Sequence, residues 1–336
     1  MSPTTIPQED FMYRADRFSR VNNSGHTPFI VTTVALSIVA IASACFSRGE
    51  KQKVDTTASA APAVVTPAVS PGDVDSVRTE PPVVTFASAQ TSYTQRKYGE
   101  AEQSFGVYVE GHPDNAFGYY MLGLSAWKNG DLDRAKEALE HSVALDSTNV
   151  KTLLNLGRVL LDQGRPDDAL VRIESAVALD SESAEVHRMR GRVESALGHR
   201  DSAEASYRLA LSIEPNDSWS MNNLGLLLID EGRYDEALMP LARAVELRPA
   251  APSFANNLGV ALERTGHPGS AALAYQSALA ADSTYAKAQT SLERVYGMED
   301  EMPIDVSQLA AQFKEDLERA SQVRLSAKTA VVKSEP

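Results

Sequence analysis

Small residues recur along this chain at a fixed interval of 34 residues. Two columns of glycine and one column of alanine share the interval, and ten of the nineteen glycines fall in the two glycine columns. The members are Gly123, Gly157, Gly191, Gly225 and Gly259; Gly130, Gly164, Gly198, Gly232 and Gly266; and Ala101, Ala135, Ala169, Ala203, Ala237 and Ala271. A period of this length is typical of stacked repeats that are each too small to fold alone, so the sequence predicts a repeat protein.

Residues 218–251 show the pattern inside one repeat. The stretch from Trp219 to Asp230 is rich in Leu, Met and Ile and lacks Pro, which predicts a helix. Gly232 follows, and glycine often ends a helix in the left-handed conformation. From Tyr234 to Leu247 apolar residues recur at spacings of three and four, which predicts a second helix. Each repeat is therefore predicted to be two helices joined by a glycine turn.

The first glycine column lies in the middle of a predicted helix, where glycine costs about 1 kcal/mol relative to alanine. A large residue recurs four positions after each alanine of the third column: Phe105, Leu139, Ile173, Tyr207, Leu241 and Tyr275. We predict that the large side chains fill the space that the small residues leave, so that the two helices of a repeat approach closely.

These columns resemble the tetratricopeptide repeat. The matching residues are Leu156, Gly157, Gly164, Ala169, Ile173 and Ala176 in one repeat, and Leu224, Gly225, Gly232, Ala237, Leu241, Ala244 and Pro249 in another. The resemblance covers residues 82–297 and implies an all-α, right-handed solenoid. Its predicted units are repeats 82–115, 116–149, 150–183, 184–217, 218–251 and 252–285 and a capping helix 286–297.

The third clear repeat departs from this pattern. His187, Arg190 and Glu194 stand where the family has apolar residues. Arg190 and Glu194 are four residues apart, a spacing that allows an ion pair on one helix. A local ion pair and a polar seam at a binding surface are both compatible with the sequence.

An uncharged stretch of nineteen residues, Phe29 to Ser47, precedes the repeats. At about 1.5 Å per residue it just spans the roughly 30 Å core of a bilayer, so residues 28–47 are predicted to enter a membrane. The run Ala42-Ser43-Ala44-Cys45 resembles a bacterial lipobox, which implies cleavage and lipidation at Cys45. An uncleaved transmembrane helix and a lipoprotein signal both remain open. Residues 1–27 form an N-terminal tail in this scheme.

Residues 48–81 are rich in Pro, Ala, Thr and Ser and are predicted to be a disordered linker. Their resemblance to the tethers of exported anchored proteins favours a solenoid in the periplasm or cell envelope. Basic residues flank the hydrophobic run on both sides, three before it and three after it: Arg14, Arg17, Arg20, Arg48, Lys51 and Lys53. The positive-inside rule therefore gives no orientation, and a solenoid that faces the cytoplasm remains open.

The repeat region is acidic, with 18 Lys and Arg against 28 Asp and Glu in residues 85–285. This charge argues against non-specific nucleic-acid binding, which needs a basic surface. The sequence has no His-Glu-x-x-His, no phosphate-binding loop, no Gly-x-Ser-x-Gly and a single cysteine. We therefore expect no catalytic residues, no metal site, no cofactor and no small-molecule substrate.

The family resemblance implies that the first helix of each repeat lines a concave groove. The corresponding residues are Phe117, Tyr120, Leu124, Trp127, Lys151, Leu154, Arg158, Leu161, Arg188, Arg192, Trp219, Asn222, Leu226, Ile229, Asn256 and Val260. This groove has aromatic residues at one end and arginines in the middle, and Trp, Tyr and Arg dominate binding energy at protein interfaces. We predict that Arg158, Arg188 and Arg192 bind an acidic or C-terminal carboxylate group of a partner protein or peptide.

Residues 298–336 are predicted to form an amphipathic helix and a tail. Val306, Leu309, Ala310, Phe313, Leu317 and Ala320 lie on one stripe. We expect this helix to cover the exposed end of the last repeat, because terminal repeats need a polar cap. Docking to a partner or to a second copy is the alternative.

Together these features predict a membrane-tethered scaffold, not an enzyme, that binds other proteins through its groove. Two alternatives remain: a lipid-anchored assembly factor of a secretion or pilus system, similar in plan to pilotins, and a non-catalytic accessory subunit of an enzyme complex.

Overall fold

The computed structural model describes residues 84–302 and 304–334, and these residues form fourteen α-helices and no strand. The helices are α1 (Phe86–Thr94), α2 (Tyr98–Gly111), α3 (Ala116–Asn129), α4 (Leu132–Leu145), α5 (Val150–Asp162), α6 (Pro166–Leu179), α7 (Ala184–Leu197), α8 (Arg200–Ile213), α9 (Ser218–Asp230), α10 (Tyr234–Leu247), α11 (Pro252–Arg264), α12 (Pro268–Ala281), α13 (Ala286–Val295) and α14 (Val306–Ser334). The all-α prediction is confirmed for this part of the chain. The predicted N-terminal tail, membrane segment and linker lie outside the described residues.

Five helix pairs repeat at a constant interval. The first helices α3, α5, α7, α9 and α11 begin 34 residues apart, at residues 116, 150, 184, 218 and 252. Each is joined to its second helix through a glycine of the second column, whose φ lies between 73° and 93° in all five cases. This left-handed backbone favours glycine, because a Cβ would be strained there.

The mid-helix glycines are required by close packing. A Cβ added to Gly225 would lie 2.4 Å from the Cγ of Leu241, and one added to Gly191 would lie 2.6 Å from the Cε1 of Tyr207. Both partner side chains belong to the second helix of the same repeat and are buried. The large residue therefore occupies the space that a side chain on the first helix would need.

The pairs stack in sequence order. Each second helix packs on the first helix of the next repeat, and first helices of successive repeats, such as α5 and α7, also contact each other. Within the described residues, successive second helices make no such contacts. Since elements on the inside of a curved stack lie closer together, the first helices form what we call the inner face and the second helices the outer face.

The C-terminal helix does not take its expected position at the end of the last repeat. Helix α14 packs along the outer face on α10 and α8. Ala310 and Leu317 are buried in the same cluster as residues of α10, whereas Ala320, the last member of the predicted stripe, is exposed.

The reason lies in the turn that precedes α14. Helix α13 packs on α12 and α11 and closes the stack. Asp300 then accepts hydrogen bonds from the backbone N–H groups of Gly269 and Ser270, at 2.7 and 3.1 Å, and so caps the start of α12. This cap directs the chain back across the outer face, and Asp305 begins α14 by accepting from the backbone N–H of Gln308 at 3.0 Å.

Helix α10 is adapted to this contact. Ala242 is 2% exposed, whereas the equivalent positions of the other four regular helix pairs hold the polar residues Glu140, Glu174, Arg208 and Gln276. Beyond Leu317 the docking face of α14 becomes basic, and Arg324 and Lys328 pair with Glu182 in the turn between α6 and α7. Hydrogen bonds from these two residues lower the pKa of the Glu182 carboxyl.

In the described part of the chain, every helix is too short or too polar to cross a bilayer. The predicted membrane segment, residues 28–47, lies outside the described residues.

Replacing Gly225 with alanine tests the packing constraint. We expect Gly225→Ala to lower the free energy of unfolding by about 1–3 kcal/mol, because the new Cβ overlaps Leu241, even though alanine is the better helix former. Urea unfolding followed by circular dichroism measures this change. Gly111→Ala is the control, since no atom lies within 4 Å of a Cβ built there, and equal stability of the two variants would contradict the packing argument.

A second substitution tests the docking of α14. In Ala242→Gln, the residue found at this position of the last repeat enters the α10–α14 contact, and we expect α14 to detach while the repeats stay folded. Hydrogen exchange should then rise across residues 306–317. Ala280→Gln, at an exposed position of α12, should leave α14 protected, and unchanged protection in Ala242→Gln would refute the assigned contact.

Candidate functional site

Three aromatic rings form a row at the start of the inner face. The centroids of Phe86 and Phe117 are 5.5 Å apart and those of Phe117 and Tyr120 are 5.7 Å apart, with interplanar angles of 29° and 19°. Phe117 is 48% exposed, so this aromatic row is open to solvent. Offset stacking of this kind leaves a flat apolar surface that fits another large side chain.

The aromatic row connects directly to an arginine. The Tyr120 hydroxyl accepts a hydrogen bond from Asn155 Nδ2 at 3.1 Å, and Asn155 Oδ1 accepts from Arg158 Nη1 at 2.7 Å. Burial raises the pKa of the Tyr120 hydroxyl, and the positive charge of Arg158 opposes this shift. Aromatic and cationic groups are therefore adjacent on α3 and α5.

Arg158, Arg188 and Arg192 form what we call the arginine cluster. Arg158 Nη2 donates to Glu185 Oε1 at 2.6 Å, and Arg188 Nη1 donates to Asp217 Oδ2 at 2.6 Å. Arg188 Nη2 lies 3.9 Å from the same Glu185 oxygen. Arg192 follows Arg188 by one turn of α7. The guanidinium groups of Arg158 and Arg188 thus pair with the carboxylates of Glu185 and Asp217, and Arg192 adds a third positive charge beside Arg158.

The centre of the arginine cluster is poorly solvated, since the Arg158 side chain is 12% exposed. Burial lowers the pKa of its guanidinium; the Glu185 carboxylate opposes this, and the positive charges of Arg192 and Arg188 lower the pKa further. An additional anion would relieve this repulsion, so the electrostatics of the cluster favour a carboxylate or a similar anionic group.

Three predicted groove residues are core residues instead. Leu124, Leu154 and Leu161 are 2–3% exposed and lie in the hydrophobic clusters between helices. Each first helix packs on its own second helix and on helices of both neighbouring repeats. More of its surface is therefore buried than the assignment by family position assumed. In this structure these leucines are therefore not accessible to a partner.

Two predicted asparagines are also largely buried. Asn222 Oδ1 accepts from Asn257 Nδ2 at 3.0 Å, which links α9 to α11. Asn256 is 6% exposed, and within the described residues its Oδ1 atom has no hydrogen-bond partner.

The remaining predicted residues are accessible to different degrees. Trp127 donates from Nε1 to Asp162 Oδ2 at 2.8 Å. Trp219 packs edge-on against Phe254, with centroids 5.0 Å apart. Lys151 and Leu226 are exposed, and Ile229 and Val260 are half-buried.

The polar residues of the third clear repeat form local pairs. Arg190 Nε lies 2.9 Å from Glu174 Oε1 of α6 and 3.9 Å from Glu194 Oε1. His187 is buried, and its Nε2 lies 2.8 Å from the Ser181 carbonyl oxygen. Since Arg190 pairs with the preceding second helix, this set is separate from the arginine cluster.

A cavity of about 650 Å³ lies at another place, between α10, α11, α12 and the start of α14. It is lined mainly by aliphatic side chains such as Leu258, Leu262 and Leu273. Across the described range, no group of three or more His, Cys, Asp and Glu side chains is arranged to hold a metal ion.

Sequence reasoning missed several partners in this site: Phe86, Asn155, Asp162 and Asp217. A usable signal does exist, because Tyr120 and Asn155, Trp127 and Asp162, and Asn222 and Asn257 are each separated by 35 residues. Two residues that are separated by one repeat length plus one position therefore lie on successive first helices with their side chains in contact.

Comparison with known families agrees with this architecture. Three family models with the description tetratricopeptide repeat match the chain, at residues 86–150 and 222–301, at 126–193 and at 175–250. Together these matches run without a gap from residue 86 to residue 301, which is more than half of the chain. The chain belongs to the tetratricopeptide repeat family.

Solved structures support the same fold. A crystal structure of the APC/C hetero-tetramer Cut9-Hcn1 is similar with a TM-score of 0.56 at 19% identity, over 62% of this chain and 42% of that chain. A tetratricopeptide repeat protein from Parabacteroides merdae gives 0.54 at 14% identity, over 62% and 82%. MamA is 26% identical over 49% of this chain and 97% of that chain, but its TM-score of 0.42 adds nothing to the fold assignment. No curated protein matches the sequence.

Proposed function

We propose that this tetratricopeptide repeat protein is a scaffold that binds an extended acidic segment of another protein along its inner face. The observation that carries the proposal is the close grouping of three mutually repelling guanidinium groups next to the exposed aromatic row. A large side chain of the partner packs on Phe117 and Tyr120, and a nearby carboxylate meets Arg158, Arg188 and Arg192.

The charge around the cluster restricts the partner. Residues 85–285 carry ten more acidic than basic residues, so a long, uniformly acidic partner is repelled at a distance. A short segment with one or two carboxylates beside an aromatic or large apolar residue gains the local attraction without this repulsion. The acidic surroundings therefore contribute to specificity.

The role that we propose is non-catalytic. The inner face supplies aromatic, amide and guanidinium groups in paired arrangements, which suit recognition of a polypeptide. Any reaction belongs to the partner in this proposal.

Charge reversal at Arg192 tests the binding mode. We expect Arg192→Glu to weaken binding of the labelled peptide Phe-Ala-Pro-Ala-Glu-Glu by tenfold or more, roughly the value of one charge-assisted contact. Fluorescence anisotropy measures the affinity. Arg319→Glu makes the same charge change on the exposed side of α14, where Arg319 pairs with Asp316, and it should leave the affinity unchanged. Equal affinities for wild type and Arg192→Glu would refute the role of the cluster.

We also propose that residues 29–47 attach the chain to a membrane and that the solenoid is exported. The support is the uncharged run of nineteen residues followed by a Pro- and Ala-rich linker. Both statements rest on sequence features outside the described residues.

Fractionation of cells that express the full chain tests this attachment. The wild type should sediment with membranes, and a variant that lacks residues 29–47 should not. Cys45→Ser separates the two mechanisms: we expect it to abolish lipidation and release the chain if Cys45 is the acylated residue, and to have no effect on an uncleaved helix. Soluble wild-type chain would end the proposal.

A further inference from the structure

Glu185 lies between Arg158 and Arg188 of the arginine cluster. Its Oε1 atom accepts from Arg158 at 2.6 Å and lies 3.9 Å from Arg188. This oxygen stands where an incoming anion would meet both guanidinium groups. The side chain of Glu185 is 36% exposed, so it is accessible from solvent.

Asp217, the other carboxylate of the cluster, is held much more firmly. Its side chain is 3% exposed. It accepts from Arg188 at 2.6 Å, from the Ser220 hydroxyl at 2.6 Å and from the Trp219 backbone N–H at 3.2 Å. Since it also caps the start of α9, its removal would leave a buried charge and an open helix end. Of these two carboxylates, Glu185 is the more exposed, and the start of its own helix is capped by Ser183 and not by Glu185.

We infer that Glu185 is an internal substitute for the partner's carboxylate, which displaces it from Arg158 and Arg188 on binding. This inference rests on the proposed function of the inner face. Before binding, Glu185 neutralises part of the buried positive charge and keeps Arg158 in position. During binding, its carboxylate turns into solvent and one carboxylate is exchanged for another.

For this exchange to occur, the partner must bind the arginines more strongly than Glu185 does. A single weakly held carboxylate gains little, because it replaces an existing ion pair of similar strength. Two adjacent carboxylates, or a side-chain carboxylate next to a free C-terminus, bring two negative charges where Glu185 brings one, and so exceed what Glu185 provides. Glu185 therefore selects against ligands that carry only isolated acidic groups.

The decisive variant is Glu185→Gln, whose amide oxygen still accepts the hydrogen bond from Arg158 while the competing charge is gone. We expect the labelled peptide Phe-Ala-Pro-Ala-Glu-Glu to bind this variant about tenfold more tightly than wild type. The neutral peptide Phe-Ala-Pro-Ala-Gln-Gln with a C-terminal amide should bind both proteins equally.

Glu174→Gln is the matched control. Glu174 also pairs with an arginine and is 45% exposed, but it lies on α6, one of the helices of the outer face. The control therefore makes the same change in net charge away from the site, and its affinity for the acidic peptide should equal that of wild type.

Glu185→Asp provides a second measurement that keeps the negative charge. Its side chain is shorter by one methylene, so it weakens the pair with Arg158, and we expect a gain in affinity of about twofold to threefold. This variant decides the matter if thermal melting shows that Glu185→Gln is unfolded.

The outcomes separate the two proposals. If the acidic peptide binds wild type in an Arg192-dependent manner but neither Glu185 variant binds more tightly, the exchange is wrong and the proposed function stands. If neither wild type nor Glu185→Gln prefers the acidic peptide over the neutral one, both are wrong. An equal gain in Glu174→Gln would assign the effect to overall charge and overturn the exchange.

Discussion

The contact between a mid-helix glycine and the large side chain opposite it sets the geometry of every complete repeat. Gly157 faces Ile173 and Gly225 faces Leu241, in each case at a distance that leaves no room for a Cβ. Interiors are packed as densely as organic crystals, so this contact determines how closely and at what relative position the two helices meet. Because it recurs every 34 residues, each helix pair presents nearly the same surfaces to the next one.

The polar contacts of the inner face follow from this regularity. Equivalent first helices lie side by side at a constant offset, and a residue therefore meets the side chain that is one repeat and one position further along. Tyr120 reaches Asn155 and Trp127 reaches Asp162 in this way. The aromatic row and the arginine cluster are adjacent for the same reason, although they belong to different repeats.

Local patterns allowed the helices, their turns and the glycine contacts to be predicted. Helical periodicity and left-handed glycines depend on neighbours in sequence, and five repeats present the same signal five times. The groove was predicted less well, because burial of Leu124, Leu154 and Leu161 depends on three neighbouring helices at once. The internal partners of the arginines, Glu185 and Asp217, likewise come from helices that follow in the stack.

The position of α14 marks the limit of this reasoning. Its apolar stripe indicated that one side of the helix is buried, and Ala242 stands where the other four regular helix pairs have polar residues. Neither feature predicts that the stripe of α14 packs on Ala242. The cap that Asp300 makes on α12 decides the direction in which the chain returns, and this contact joins residues about 30 positions apart.

The sequence alone therefore determined the repeat length, the two-helix unit and the acidic character of the solenoid, because these properties are set by local spacing and by composition. Only the tertiary structure decided which arginines are buried, which carboxylates neutralise them and which face the C-terminal helix covers. These outcomes depend on the desolvation and pairing of side chains from separate helices, and such energies exist only after the helices have packed.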